Sequence, residues 1–281
     1  MQAIAVLMTC HNRLEKTLAC LDRLFKSDPI LDVAFEVFLV DDGSTDDTAS
    51  IVEATYPAVN LLAGDGSLYW NGGMRVAFAA AMQKGFDFYL LLNDDTMLYS
   101  SALPRLLSSA NAEQLSQHKS VIIVGTTHEV LGGMPTYGGL CRKSVWRPLH
   151  HVIVFSQVVP TPCETANGNC VLVPSEAAMQ LGNLDPVFVH AMGDIDYGLR
   201  ATKAGFPLMV LPGYVGTCSH NSIGNTFMDT RLSLGVRWTK IMGLKGLPPR
   251  QWHVLVRRHA GFFWPLMFIW PYLKVILGRR Q

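Results

Sequence analysis

Twice in this chain, some fifty residues apart, an unbroken apolar run ends in two adjacent aspartates: FLVDDGSTDDT at 38–48 and YLLLNDDTML at 89–98. A short continuous apolar run of this kind reads as a strand buried on both faces. Neighbouring carboxylates repel one another and are costly to bury unless a cation or hydrogen-bond donors meet them. The chain is therefore restricted to folds that bring strand ends together where such partners wait.

The pattern around the two runs supplies such a fold. AIAVLMT at 3–9 reads as a buried strand. The helix after it has Asn12 as N-cap, Glu15 in the capping-box position, and Leu14, Leu18, Leu21 and Phe25 on one face. FEVFLV at 35–40 is a second strand, and a second helix starts near Asp46 under a Ser44 or Thr45 cap. A strand at 59–63, a helix at 72–85 and a strand at 86–93 follow. This alternation predicts an α/β fold with a mostly parallel central sheet and helices on both faces. Ligands of such sheets bind beyond the carboxyl ends of the strands, where both aspartate pairs lie. From 100 to 190 the pattern loosens, with a helix after Ser100, strands at 121–125 and 169–174, and a Gly-rich aromatic segment between them. A helix at 194–206, the strand PLMVL, a loop carrying His220 and helical segments complete the chain.

The candidate chemistry sits at these junctions. Asn93, Asp94 and Asp95 offer oxygen ligands of the kind Mg²⁺ or Mn²⁺ takes, or else form an Asx-turn in which Asp95 caps the next helix. Asp41 and Asp42 are placed to accept hydrogen bonds from a nucleobase or ribose, whereas Asp46 and Asp47 suit the first turn of a helix. In GDIDYGLR, Asp196 and Arg200 are four apart on a helix and can pair. Asp194 has no such partner and is the better general base, its alternative role being the N-cap. His220 is either a ligand or an exposed loop histidine, and Trp70 either stacks on a sugar or base or belongs to the core.

Taken in order, TCHNR, FLVDDGSTDDT, GDGSLYWNGGM, LNDDT, ANGNCVLVPSEAAMQLGNLDP and GDIDYGLRATKAGF resemble the successive motifs of the inverting family 2 glycosyltransferases, over roughly residues 1–225. The resemblance implies the GT-A fold, with a nucleotide-sugar half at about 1–100 and an acceptor half at 101–225. It makes His11, Asp41, Asp42, Asp65, Asn93 and Asp94 nucleotide-binding positions, Asp95 the principal metal ligand with His220 completing the site, and Asp194 the catalytic base. Trp70, Asn167, Gly168 and Asp196 fall on the acceptor and sugar side. Where the family usually has Glu before the base, this chain has Gly193. The implied reaction moves a sugar from a UDP- or dTDP-linked donor, with Mg²⁺ or Mn²⁺ and with inversion, to a glycan or lipid-linked acceptor of a bacterial surface polysaccharide such as O-antigen. The rival is a catalytically silent membrane-associated subunit that binds nucleotide or glycan. A D-x-D-x-T phosphatase is out of register with DDGST, and TCHNRLEK lacks the Gly-rich basic loop of a nucleotidyltransferase.

Charge separates the tail from the body. Residues 1–229 hold all 22 acidic residues against 13 Lys and Arg, whereas 230–281 hold ten Lys and Arg and no acid. The tail contains fourteen consecutive uncharged residues at 260–273, short of the about 20 a membrane-spanning helix needs, with Pro265 and Pro271 among them. Tryptophans flanked by basic residues suit the headgroup region of an anionic membrane. A dimer interface or a helix packed on the body is the alternative. The six cysteines are scattered without CxxC spacing, and the N-terminus resembles no signal peptide. These features predict a reduced, cytoplasmic protein, peripheral on the cytoplasmic face of the inner membrane, with 226–281 as a basic, apolar, helical appendage; a homodimer and no nucleic-acid partner are further expectations.

Overall fold

The computed structural model describes residues 1–278. In chain order they form β1 (Gln2–Cys10), α1 (Leu14–Phe25), β2 (Val33–Asp41), α2 (Thr48–Thr55), β3 (Asn60–Ala63), α3 (Tyr69–Lys84), β4 (Phe88–Leu92), β5 (Met97–Leu98) and α4 (Ala102–Gln117). The second half adds β6 (Ile122–Glu129), β7 (Gly132–Tyr137), β8 (Gly139–Ser144), β9 (Arg147–Val154), β10 (Thr161–Cys163), β11 (Thr165–Ala166), β12 (Cys170–Pro174), α5 (Ser175–Leu181), α6 (Gly193–Lys203) and β13 (Leu208–Thr217). Helices α7 (Leu234–Met242), α8 (Pro249–His259) and α9 (Trp264–Ile276) follow, with a 3₁₀ turn at Gly261–Phe263.

The central sheet runs β10-β13-β6-β12-β4-β1-β2-β3, with β5 and β7 paired to β13 and β6. Strands β4, β1, β2 and β3 are parallel, as are β6 and β13; β12 and β10 run the other way. The mostly parallel α/β architecture read from the sequence holds. Strands β4 and β12 are buried along their whole length and β1 from Ile4 to Cys10, because both faces of the sheet are covered there. In β1, Ile4, Val6, Met8 and Cys10 join the core under α1 and α4, while Ala5 and Leu7 join the opposite core under α3, α5 and α6.

Three departures from the local sequence pattern have physical causes. Helix α1 starts at Leu14, not under an Asn12 cap: Asn12 lies in the left-handed region (φ 50°), and its Oδ1 accepts from the Thr45 N–H at 2.7 Å. The orphan N–H of Leu14 donates instead to Asp46 Oδ2 at 3.1 Å, so the loop after β2 caps the helix after β1. Helix α2 starts at Thr48, whose hydroxyl also donates to Asp46. In 132–154, where glycine and proline obscure any alternation, the chain forms antiparallel strands; β8 and β9 join β11 in a separate three-stranded sheet.

The C-terminal helices build a third core around Phe188, Ile241, Trp252, Val256 and Tyr272. Helix α9 turns Pro271, Tyr272 and Val275 inward and leaves Leu266, Ile269, Trp270 and Leu273 exposed. Among the described residues no helix is long and apolar enough to cross a membrane.

Candidate active site

Beyond the carboxyl ends of β1, β2 and β4 lies a cleft of about 380 Å³. Its lining includes His11, Arg13, Asp42, Trp70, Asn93 and Asp94. Asp41 and Asp42 find backbone donors. Asp42 Oδ1 accepts from Gly66 and Leu68 at 2.9 and 3.2 Å, and Oδ2 accepts from Tyr69 at 2.8 Å, which ties the loop entering α3 to the end of β2. Gly64 is needed there, because a Cβ would lie 2.6 Å from Asp42 Oδ1. Asp41 is buried, does not line the cleft, and accepts from the Ser44 N–H at 3.1 Å. His11 Nδ1 lies 2.6 Å from the Asp42 carbonyl oxygen.

The second pair meets a cation. Arg13 Nη1 is 2.9 Å from Asp94 Oδ1, and its Nη2 donates to Asp95 Oδ2. Asp95 also accepts from the Cys218 thiol at 3.6 Å. Burial pushes the Asp94 carboxyl up to about 7, with Arg13 opposing and Asp95 adding to the rise. Two carboxylates converging on one positive centre are the donor set of a hard cation whose remaining positions are filled by phosphate oxygens. The oxygens of Asp94 and Asp95 are donors of the type a divalent ion takes, with Arg13 paired to both. His220 does not join them: it stacks on Tyr137 at 5.6 Å, and among the described residues no three His, Cys, Asp or Glu side chains converge as ligands.

Trp70 connects the segment that carries this pair to Gly168 and Asp194. Its indole N–H donates to Asn93 Oδ1 at 2.7 Å, and its ring lies so close to Gly168 that a Cβ there would be 2.4 Å from it. The Gly168 N–H donates to Asp194 Oδ2 at 3.0 Å, and the Ile195 N–H to Oδ1 at 2.8 Å. Burial raises the Asp194 carboxyl above its usual range, while these two backbone donors oppose the rise. A carboxylate that is oriented and made more basic is equipped to take a proton.

A profile described as glycosyltransferase like family 2 matches residues 2–260. The chain belongs to this family. No curated protein matches it in sequence. Among solved structures, the mannosyltransferase PcManGT from Pyrobaculum calidifontis, in complex with GDP-Man and Mn²⁺, is 14% identical with a TM-score of 0.59; the match covers 98% of this chain and 73% of that one. S. aureus TarS 1-349 in complex with UDP is 17% identical with a TM-score of 0.56, over 92% of this chain and 70% of that one. The chain spans only 42% of a longer TarS. At such identities the likeness shows the shared GT-A fold.

In this family 2 glycosyltransferase the remaining sequence candidates are placed as follows. Asp196, expected on the acceptor side, is fully buried: Oδ2 accepts from Arg200 Nε at 2.9 Å, and Oδ1 is met by Arg258 Nη1 at 2.7 Å and His259 Nε2 at 2.8 Å. It fastens α8 to α6 and has no oxygen left for a substrate. Asp65 is exposed, outside the cleft lining, and accepts from Ser67. Asn167 donates its backbone N–H to the Gly138 carbonyl at 3.0 Å. Gly193 is glycine for a visible reason. Asn71 is buried, its Nδ2 donates to the Phe188 and Asp185 carbonyls at 2.6 and 3.1 Å, and its Oδ1 would stand 1.7 Å from a Cβ on residue 193.

Sequence reasoning missed Arg13, Asn71, His190 and Lys245. Arg13 was within reach: adjacent buried aspartates demand a cation, and TCHNR supplies one at a strand end on the same sheet edge. His190 and Lys245 carry no motif.

Proposed function

We propose that the chain transfers a sugar from a nucleotide diphosphate donor, UDP- or dTDP-linked, to a hydroxyl of a glycan or lipid-linked acceptor with inversion at the anomeric carbon. The observation that carries this reading is the chain of contacts that runs from Asn93, beside Asp94 in the cleft, through Trp70 and Gly168 to Asp194. Donor phosphates belong beside Asp94 at one end of this chain of contacts, and the acceptor hydroxyl beside Asp194 at the other. His11 and the β2 strand end serve the nucleoside, and Trp70 offers an apolar face to the sugar between the two ends.

Asp194 takes the proton of the acceptor hydroxyl. The oxygen attacks the anomeric carbon from the face opposite the nucleotide, and the bond to the diphosphate breaks with its electron pair leaving on the diphosphate oxygen. One displacement inverts the centre, and no second carboxylate is needed behind the sugar. The backbone N–H groups of Gly168 and Ile195 orient the base throughout. A Mg²⁺ or Mn²⁺ ion held by Asp95 and Asp94 would neutralise charge on the leaving diphosphate when bound.

The exposed outer face of α9, in a tail segment without acidic residues, supports peripheral attachment to an anionic membrane. A lipid-linked acceptor of a bacterial surface polysaccharide on the cytoplasmic leaflet fits that placement. The test is calorimetric titration of UDP, dTDP and GDP with and without Mn²⁺, followed by transfer assays. Wild-type protein should bind one nucleotide; Asp95→Ala should lose the metal-dependent part of that binding. Asp194→Asn should bind as wild type and lose activity by at least about a hundredfold. Full activity in Asp194→Asn would rule out the assigned base.

A further inference from the structure

The carboxylates of the cleft already have hydrogen-bond partners within the protein. Asp42 accepts from three backbone N–H groups, and Asp94 and Asp95 share Arg13. Two other lining residues each carry a group without a partner among the described residues. Lys245 is exposed, and among the described residues nothing pairs with its ammonium group. His190, half-buried beside Tyr69, has its Nδ1 enclosed without a hydrogen-bond partner. An enclosed ring nitrogen left unpaired costs free energy unless a ligand completes it.

The segment that carries Lys245 is built to hold it there. The chain between α7 and α8 folds back on the end of α7, with Gly246 N–H donating to the Gly243 carbonyl at 2.8 Å and Leu247 N–H to Ile241 at 2.7 Å. Gly246 is buried, and a Cβ on it would lie 2.3 Å from the Lys240 carbonyl oxygen. Such a turn has one shape. On the other side, His190 follows Val189, whose carbonyl accepts from the Asn71 and Gly72 N–H groups at 3.1 and 3.3 Å, which fixes the segment against the start of α3.

We infer that Lys245 and His190 bind the diphosphate of the donor, so that the C-terminal helical unit completes the donor site from outside the α/β sheet. This rests on the glycosyltransferase reading and adds residues to it. The chemical match is specific: an unpaired ammonium and a histidine with an unpaired ring nitrogen line one cleft, and a diphosphate supplies negative charge and oxygen acceptors to both. The C-terminal helices then contribute to substrate binding as well as to attachment.

The experiment separates nucleoside from diphosphate recognition. Uridine, UMP and UDP, with the thymidine and guanosine series beside them, are titrated calorimetrically into wild type, Lys245→Gln, Lys245→Arg, His190→Gln and the tail control Lys274→Gln, with and without Mn²⁺. In wild type, affinity should rise from nucleoside to diphosphate. Lys245→Gln should lose at least tenfold of that rise, in keeping with a hydrogen bond to a charged group, and should leave the nucleoside affinity unchanged. Lys245→Arg should recover most of the loss, and Lys274→Gln should match wild type. His190→Gln should weaken the diphosphate more than the nucleoside. A Lys245→Gln protein with the full diphosphate rise overturns the inference, and so does an equal loss for nucleoside and diphosphate. Failure of wild type to bind any nucleoside diphosphate overturns the glycosyltransferase reading along with it, a different outcome from a wild-type rise that the variants retain.

Discussion

Replacing Gly193 by alanine tests whether α6, the helix that carries the proposed base Asp194, is positioned by Asn71. The new Cβ would stand 1.7 Å from Asn71 Oδ1 and 2.5 Å from its Cγ, against ordinary contacts of 3.4 Å or more. Asn71 cannot swing aside freely, because its Nδ2 is committed to two buried carbonyls on the 185–188 segment. Displacing it strands those acceptors, at about 1–3 kcal/mol for each buried group left unpaired. Overpacking of the surroundings adds about 1–3 kcal/mol. Against this, alanine is better than glycine in a helix by about 1 kcal/mol. Since partial relaxation lowers the sum, a net loss of about 3 kcal/mol is expected. For a chain of this size that is a fall in Tm of about 6–12 °C. Chemical denaturation of wild type, Gly193→Ala, Asn71→Ala and the double variant measures it. Asn71→Ala strands the same carbonyls, so adding Gly193→Ala to it should cost almost nothing, and the cycle should give a coupling of about 2–3 kcal/mol. A Gly193→Ala protein as stable as wild type, or strictly additive costs, would refute the reasoning. The same contact explains why glutamate, the usual family residue here, has no room beside this asparagine.

Three other outcomes follow from the geometry. Asp196→Asn should lower stability by about 3–5 kcal/mol, because Arg200 and Arg258 would face a buried neutral amide; a loss under 1 kcal/mol in urea denaturation would mean that the lock of Arg200, Arg258 and His259 on this carboxylate is not formed. Burial raises the Asp194 carboxyl above the usual 3.8, and the proposed base must be ionised to act, so kcat/KM should be lost as pH falls through a midpoint above 3.8; a midpoint at or below that value contradicts a desolvated base. Leu266→Glu with Trp270→Glu on the exposed face of α9 should reduce co-sedimentation with phosphatidylglycerol-rich vesicles more than tenfold while leaving nucleotide binding intact, and unchanged sedimentation would assign that face elsewhere.

How much of this was legible beforehand divides along a physical line. Strands β1, β4 and β12, and β2 from Val37 to Val40, are apolar on both faces and announce themselves by composition alone. Strands β7 to β9 are partly exposed and broken by Gly132, Gly133 and Pro135, so no period survives to be read. The two aspartate pairs predicted their own location, because buried like charges require partners. The identity of those partners was not local: Arg13 lies 82 positions from Asp95, and Asp46 caps a helix that begins 32 residues earlier. Asp196 could be paired with Arg200 from spacing, but its contacts to Arg258 and His259 cross 62 and 63 residues. Lys245 and His190 converge only through the packing of α7 and α8, which no repeat in the sequence encodes.

The loop after β2 has a consequence for how such enzymes can be recombined. Asp46 holds the first turns of α1 and α2, Asp42 holds the 66–69 segment, and Ser44 and Thr45 clasp Asn12. Grafting 41–48 alone from a relative with another nucleotide preference would leave the ends of two helices and a neighbouring loop without their partners. The transferable unit is a patch of three segments, 11–14, 41–48 and 64–69, contiguous in space and scattered in the gene. Chimaeras cut at those boundaries should fold, and those cut through them should not.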